Sequence, residues 1–250
     1  MNPSAYFRRA ALAVLPATLL LAACGKTDTP APTPVADTGK VTFVNAASHI
    51  PGATLKFSVE NSEKAALTYG ANIGYQGVQT GSRVIVVTSG TQVVLTQPAA
   101  TIEKDKNYTF VATAAASSAA VGGQFFIDDL ALPTDPTKAR IRIINVAQVV
   151  MNPIRLSQIT TTAGGPVVVS IVGNTASNSA SAFTDFTPGD YALSILDNNG
   201  TAKAQLGSGT GAGTGTKIFQ AGKLYTVVVS GTADSADPAQ TLKAFLIQNN

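Results

Sequence analysis

Residues 40–47 read KVTFVNAA, and residues 140–147 read RIRIINVA. Position by position, both stretches run basic, aliphatic, polar, apolar and aliphatic, and then reach an asparagine, Asn45 or Asn145. Polar and apolar residues alternate at the start of each stretch, which predicts a β-strand. The recurrence of the pattern indicates that the chain contains a repeated β module.

Further pairs of similar segments follow in the same order along the chain. They are Gly81–Val84 with Gly189–Ala192, Lys106–Val111 with Lys223–Val228, and Phe125–Ile127 with Phe245–Ile247. Chance similarity between β-patterned segments would not keep both the asparagine and the Tyr-Thr pair in order. We therefore interpret the chain as a tandem duplication.

The segments between these repeats predict the fold class. They are short alternating or β-branched runs, and Ser89-Gly90 predicts a hairpin turn between two of them. Strands at this spacing predict an all-β chain with two tandem immunoglobulin-like antiparallel β-sandwiches. Two prolines place a linker at residues 133–138, which leaves residues 39–132 for the first sandwich and 139–250 for the second.

Two tyrosines indicate which kind of sandwich this is. Tyr108 comes six residues after Ile102, Tyr225 comes six residues after Phe219, and each tyrosine opens a predicted strand. This resembles the tyrosine corner of immunoglobulin-like domains, in which the hydroxyl bonds to upstream backbone. We predict structural tyrosine corners at Tyr108 and Tyr225.

The N-terminus carries a targeting signal. Arg8 and Arg9 precede an apolar run that is too short to cross a bilayer as a helix, so residues 1–23 read as a signal peptide. The run ends in Leu21-Ala22-Ala23-Cys24, which resembles the lipobox of bacterial lipoproteins. The resemblance implies cleavage between Ala23 and Cys24 and acylation of Cys24, with palmitate among the acyl groups. The alternative is an ordinary signal peptide followed by an unmodified cysteine.

Residues 24–38 predict a tether that separates the lipid from the folded part. Pro30, Pro32 and Pro34 alternate with small residues, a composition typical of extended spacers. Several acyl chains on one residue anchor a protein stably, so we expect a membrane partner through the N-terminal lipid. Gly25 stands where inner-membrane lipoproteins carry aspartate, which implies the outer membrane of a two-membrane cell envelope.

Together these segments resemble the bacterial domain-of-unknown-function family 4397. The likeness rests on the motifs Val-x-Phe-Val-Asn-Ala, Gly-x-Arg/Tyr and Lys-x-Tyr-Thr-x-Val, and it covers two copies between Gly39 and Ile247. Members of that family are typically exported, are often lipid-anchored and carry repeated immunoglobulin-like sandwiches. The resemblance therefore implies fold and compartment, and the family has no established activity to carry over.

Composition bears on the class of partner. The full chain has a formal charge of +3, and removal of Arg8 and Arg9 with the signal peptide leaves +1. The mature chain has no Lys/Arg cluster, so we expect no nucleic-acid partner. Cys24 is the single cysteine, so the fold has no disulfide to support it.

We find no catalytic constellation, and we expect neither a metal nor a cofactor. His49 is the single histidine and reads as a solvated loop residue. Asp128 and Asp129, with Asp135 nearby, read as a solvated strand end rather than a calcium site. The glycines of residues 207–216 read as a flexible loop rather than a phosphate loop, since no helix follows. Asn199-Gly200 predicts a type I′ hairpin turn.

Two classes of function remain open at this stage. The favoured one is a non-enzymatic, lipid-anchored envelope protein with a structural or binding role, whose partner is an envelope protein or a polysaccharide, as in adhesion. Its functional loops would be residues 170–182 and 207–216. Tyr69 or Tyr75 would be the platforms for sugar stacking, and the alternative is that both belong to the core. The less favoured one is a hydrolase, which requires two carboxylates that converge in one cleft.

Overall fold

The computed structural model describes residues 36–50, 52–114, 120–148, 153–206, 216–232, 235–238 and 240–250. Residues 36–250 form one compact unit, and the predicted signal peptide and most of the predicted tether lie outside the described residues. In the described part of the chain, no helix is long and apolar enough to cross a bilayer.

The first half of the unit is built from strands that lie in two sheets. The strands are β1 Thr38–Ala46, β2 Leu55–Val59, β3 Ser62–Leu67, β4 Gln76–Gln79, β5 Gly81–Ser89, β6 Gln92–Ile102, β7 Asn107–Ala114 and β8 Val121–Asp128. One sheet has the order β4-β1-β7-β8, and the other has the order β3-β2-β5-β6. The hairpin predicted at Ser89-Gly90 is confirmed, since it joins β5 to β6.

The second half has two main sheets and a short two-stranded one. Its strands are β9 Ala139–Asn145, β10 Ile154–Thr162, β11 Gly165–Thr175, β12 Ser179–Ala180, β13 Thr184–Phe186, β14 Gly189–Tyr191, β15 Leu193–Leu196, β16 Ala202–Gln205, β17 Lys217–Phe219, β18 Leu224–Ser230 and β19 Lys243–Gln248. One main sheet has the order β12-β9-β18-β19, and β13 also pairs with β9. The other main sheet has the order β11-β10-β15-β16, and the short sheet is β14-β17.

Each half has its own apolar core between its two main sheets. In the first half, Phe43, Phe57 and Phe110 have no exposed surface, and their ring centroids lie 5.5–6.2 Å apart. In the second half, Ile141 and Ile143 of β9 share a core cluster with residues of β10, β15 and β18. The predicted all-β sandwich fold is confirmed.

One pairing in each half departs from the antiparallel pattern. β1 lies parallel to β7 with Val41 opposite Tyr108, and β9 lies parallel to β18 with Ile141 opposite Tyr225. Parallel neighbours need a long connection, and the intervening strands provide it, including all those of the other main sheet of the same half. This shared register is what a tandem duplication would produce, although the duplication itself stays our interpretation.

Local details differ from the sequence reading at three places. The sequence comparison matched Phe125 with Phe245, but the β7–β8 and β18–β19 registers match Phe125 with Leu246. The one-residue error arose because the neighbouring residues are also apolar. The turn at residues 197–200 is not type I′, since only Gly200 there has a positive φ (83°). The type I′ geometry occurs instead at Glu60 and Asn61, with φ of 47° and 65°.

The third difference concerns the expected loop at residues 170–182. β11 continues through it to Thr175, because Val172 and Thr175 are buried against the second core. The other expected loop is residues 207–216, and all of it except Thr216 lies outside the described residues.

The asparagine that ends the first strand of each half holds the following loop. Asn45 donates from Nδ2 to the carbonyl of Leu67 (2.9 Å) and accepts from the N–H of Ala47 (3.1 Å). Asn145 does the same with Thr175 (3.2 Å) and Ala147 (3.2 Å). Both asparagines have no exposed surface. Sequence comparison found the asparagines, and the structure assigns them this role.

We predict that Asn45→Ala lowers the free energy of unfolding by about 2–4 kcal/mol, because it leaves a buried carbonyl and a buried N–H without partners. The measurement is urea unfolding followed by circular dichroism. Asn198→Ala, at an exposed turn position, is the matched control and should change stability by less than about 0.5 kcal/mol. Equal effects of the two substitutions would contradict the assigned role.

Candidate functional site

The sheet β4-β1-β7-β8 is covered on both faces. Its inner face packs in the first core, and its outer face meets the outer face of β12-β9-β18-β19. The contact is an apolar cluster to which each half contributes, made of Val44, Ala46, Val111, Ile144, Val146, Val228 and Ile247. Full burial of a valine or isoleucine stabilises by about 1.5–3 kcal/mol, so this contact is a substantial part of the unit.

The apolar cluster adjoins a buried ion pair that joins the two halves. Arg142 Nη2 donates to Asp128 Oδ1 at 2.5 Å, and the two side chains are 2% and 0% exposed. Arg142 also donates to the hydroxyls of Thr226 (3.0 Å) and Thr109 (3.2 Å). Its guanidinium lies 4.7 Å from the ring centroid of Phe183. A buried charge pair needs such additional partners to offset its desolvation.

Asp128 is held by two hydroxyl groups besides the arginine. Tyr75 and Thr109 each donate to Asp128 Oδ2 at 2.7 Å. Asn249 Nδ2 donates to the Tyr75 hydroxyl at 3.0 Å, and Thr226 donates to Asn249 Oδ1 at 2.8 Å. Burial, and then the negative charge of Asp128, raise the pKa of Tyr75, so this hydroxyl keeps its proton for Asp128.

The strand registers show why one charge pair lies here. The parallel registers put Thr42 of β1 at the position of Arg142 in β9, and Thr109 at the position of Thr226. By the antiparallel registers, Asp128 corresponds to Asn249. Corresponding sets of polar residues from the two halves thus face each other. Arg142 and Asp128 are the charged members, and the residues at their corresponding positions, Thr42 and Asn249, are uncharged. We call these residues, with Tyr75, the polar cluster.

The polar cluster is suited to holding the two halves together rather than to chemistry. Both Asp128 oxygens already accept hydrogen bonds, and neither side chain of the ion pair reaches solvent. A catalytic carboxylate must meet a substrate proton within hydrogen-bond reach. Asp128 therefore serves to hold the side chains of the two halves against each other.

A second set of contacts between the halves lies around Tyr69. Its hydroxyl is 3.1 Å from Ser230 Oγ, and its ring meets Phe245 edge-on at 5.1 Å. Gly70 has a φ of 79°, and a Cβ there would lie 2.6 Å from the Phe245 ring. Burial raises the pKa of Tyr69. Tyr69 and Tyr75 are thus half-buried residues of the contact between the halves, which favours the alternative to exposed sugar platforms.

The two predicted structural tyrosines make the same kind of hydrogen bond to upstream backbone. The Tyr108 hydroxyl accepts from the N–H of Glu103 at 3.0 Å, and the Tyr225 hydroxyl accepts from the N–H of Gln220 at 2.9 Å. Both tyrosines are 2% exposed. Ala23 and Cys24, the predicted cleavage and lipidation residues, lie outside the described residues.

Two other sequence expectations need correction. The ring nitrogens of His49 are buried without a hydrogen-bond partner, so this residue is not solvated as expected. Asp128 is buried rather than part of a solvated strand end, because the second half covers it. Asp129 is exposed, and its pKa is lowered by the N–H of Ala131 and then by Arg140 at 3.3 Å. Among the described residues, no group of three or more acidic, histidine or cysteine residues is placed to hold a metal.

An open groove beside β4 has charged side chains in its walls, and two of them already make hydrogen bonds to the backbone. It has a volume of about 380 Å³ and is lined by residues of the strands β1 to β5 and by Glu60, which lies between β2 and β3. Arg83 donates to the carbonyls of Gln79 and Thr80, and Glu60 accepts from the N–H of Val84. These bonds hold both charged side chains against nearby backbone groups.

Sequence reasoning missed the ion pair, although Arg142 left a signal. A basic residue stands between Ile141 and Ile143 in a strand that is otherwise apolar. A charge in such a strand needs a buried partner or solvent. The sequence does not indicate that partner, which lies in the other half.

Comparison with known proteins supports the family resemblance. Residues 39–152 match the family described as Domain of unknown function (DUF4397). The resemblance predicted from the sequence motifs is confirmed over those residues. The match spans the first sandwich and β9, and the second copy expected up to Ile247 is not part of it.

Two solved structures are similar at low scores. One is a provisionally described cell adhesion protein from Bacteroides uniformis, at 10% identity and a TM-score of 0.24, with 86% of this chain and 99% of that chain covered. The other is a leucine-rich repeat protein from Bacteroides thetaiotaomicron, at 9% identity and a TM-score of 0.19, with 83% and 26% covered, so the match spans about a quarter of that protein. No curated protein matches this chain.

We predict that Arg142→Met lowers the free energy of unfolding by about 3–5 kcal/mol, because it leaves the Asp128 carboxylate buried and unpaired. The measurement is urea unfolding of the chain from residue 25. Lys56→Met, which breaks the exposed pair with Glu63, is the control and should cost at most about 1 kcal/mol. In Arg142→Met/Asp128→Leu, the loss should be smaller than the sum of the single losses. Additive losses would show that the pair does not couple the halves.

Proposed function

We propose that this chain is a lipid-anchored protein of the cell envelope, at the outer membrane, with a non-enzymatic structural or binding role. In this role a lipid on Cys24 would hold the protein at the membrane, and the two sandwiches would act together as a rigid module. Its partner would be another component of the envelope.

The observation that carries the proposal is the packing of the two halves by their outer sheet faces. A chain of two flexibly linked domains would leave these faces polar and wet. Here they are apolar, and the adjoining polar cluster pairs its charges and hydroxyls across the contact. A rigid unit of this kind suits a spacer or a presenting scaffold, since its two ends keep a constant separation.

The tether supports the same role. β1 begins at Thr38, so the Pro-rich residues 25–37 would join the lipid-bearing residue to the first sheet. A short, proline-stiffened segment limits how far the folded unit can move from the membrane.

A polysaccharide ligand receives less support than an envelope protein. Stacking on a sugar ring needs an exposed aromatic face, and the chain has no tryptophan. Tyr69, Tyr75, Tyr108 and Tyr225 pack in the interface or the cores, and Tyr191 contacts Phe186 and Phe219. The described tyrosines therefore serve the fold.

The anchor is tested by Cys24→Ser in a bacterial host. We expect the variant to lose labelling by radioactive palmitate and to leave the membrane fraction, because serine provides no thiol for the acyl group. Gly25→Asp is the matched control: it should keep its label but move from the outer to the inner membrane fraction. Labelling of Cys24→Ser at the level of the unchanged chain would refute the anchor.

Rigidity is tested by spin labels on exposed residues of the two halves. Val93 and Ile218, which are 61% and 69% exposed, would be changed to cysteine in the chain from residue 25, which has no other thiol. We expect one narrow distance distribution by double electron–electron resonance, and a broader one when Arg142→Met is added. A broad distribution in the unchanged background would contradict the rigid module and leave the anchor unaffected.

A further inference from the structure

The first part of β11 is an exposed edge strand. β11 is the end strand of its sheet and pairs only with β10. Val167, Val168 and Val169 are 45%, 47% and 48% exposed, so both faces of the strand reach solvent. β10 pairs with β15 only as far as Gln158, so the hairpin of residues 159–168 projects beyond the rest of the sheet.

The outer edge of β11 carries unpaired backbone groups. In an antiparallel pair, successive residues point their N–H and C=O alternately toward and away from the partner strand. Pro166 has no N–H and therefore belongs to the outward set. By alternation, the N–H and C=O of Val168 and Ser170 also point outward. The Thr160 and Thr162 hydroxyls donate to the carbonyls of Val167 and Gly165, which fits the inward set.

This edge has less of the usual protection against pairing than other edges have. Natural edge strands are blunted by charges, prolines, bulges or kinks. In β11, Pro166 still offers its carbonyl to a partner, and the shifts in register lie beyond Ser170. The other long edge strand, β6, has Pro98, a positive φ of 57° at Ala99 and shifts in its register. By contrast, β11 keeps a regular register from Gly165 to Ser170, and residues 156–184 contain no charged side chain.

We propose that β11 pairs with β11 of a second copy of this chain, antiparallel and centred on Val168. In this register the two Val168 residues exchange N–H···O bonds, and each Ser170 N–H donates to the Pro166 carbonyl of the other copy. Val167 of each copy faces Val169 of the other. The segment is thus complementary to itself in backbone groups and in side chains, as a two-fold interface requires.

Self-pairing accounts for this edge better than contact with lipid. A bilayer could cover the valines, but it offers no partners for the outward N–H and C=O groups. The absence of charge from residues 156–184 removes the like-charge repulsion that would oppose a symmetric contact of two identical strands. The inference goes beyond the proposed function and does not depend on the lipid.

The register can be tested with cysteines in the chain from residue 25, which contains the whole compact unit and no native thiol. A mixture of Val167→Cys and Val169→Cys chains should form a disulfide-linked dimer under mild oxidation, because these residues face each other in a non-hydrogen-bonded pair. Either variant alone should form far less. Val93→Cys, on the kinked edge strand β6, is the matched control and should form little disulfide-linked dimer, although it should still associate through β11.

A second measurement does not depend on disulfide chemistry. Val168→Lys places two like charges directly opposite each other, and we expect it to weaken dimerisation by at least about tenfold in sedimentation equilibrium. Val93→Lys should leave dimerisation unchanged, and the melting temperatures of both variants should stay close to that of the parent chain, since both side chains are exposed.

Several outcomes would overturn the proposal. They are a parent chain that is monomeric at all concentrations, a covalent dimer that forms equally well with Val93→Cys, and dimerisation that Val168→Lys does not weaken. Binding of the monomer to liposomes through Val168 would also overturn it, because the edge would then belong to a membrane contact. Loss of membrane anchoring in Cys24→Ser would have no bearing on these results.

Discussion

The ion pair between Arg142 and Asp128 depends on two sheets that have no free face. Residues of β1 and β9 alternate between a sandwich core and the contact between the halves, so each of these strands is buried on both sides. A charge in such a place is tolerated only when its partner and its hydrogen bonds are complete. Tyr75, Thr109 and Thr226 complete them here. The two halves must therefore be arranged so that the buried charges meet and neutralise each other.

Corresponding positions in the two halves show what the module needs and what can vary. The asparagine at the end of the first strand and the tyrosine hydroxyl on the upstream backbone make the same bonds in both. Those bonds lie within each half. Positions that face the other half differ between the halves: Thr42 corresponds to Arg142, and Asp128 corresponds to Asn249. Buried polar groups of this kind can select a single arrangement among apolar alternatives.

The sequence predicted much of the fold but little of the contact between the halves. Alternation and turn residues located the main strands, and recurrence located Asn45, Asn145, Tyr108 and Tyr225, because local pattern and order carry that information. The residues of the contact were misread for one reason. Asp128, Tyr69 and Tyr75 have polar groups that are normally at the surface, and only a neighbour distant in sequence buries them.

Short runs of residues were enough to predict the β class of the chain, its similar segments, the resemblance to a family of unknown function and the lipobox-like stretch at Cys24. Tertiary structure alone decided the parallel register of β1 with β7, the packing of outer face on outer face, and the exposed edge of β11. These features depend on which strands become neighbours. A strand with two apolar faces can be covered in several ways. The arrangement seen here is one in which Arg142 of one half can pair with Asp128 of the other.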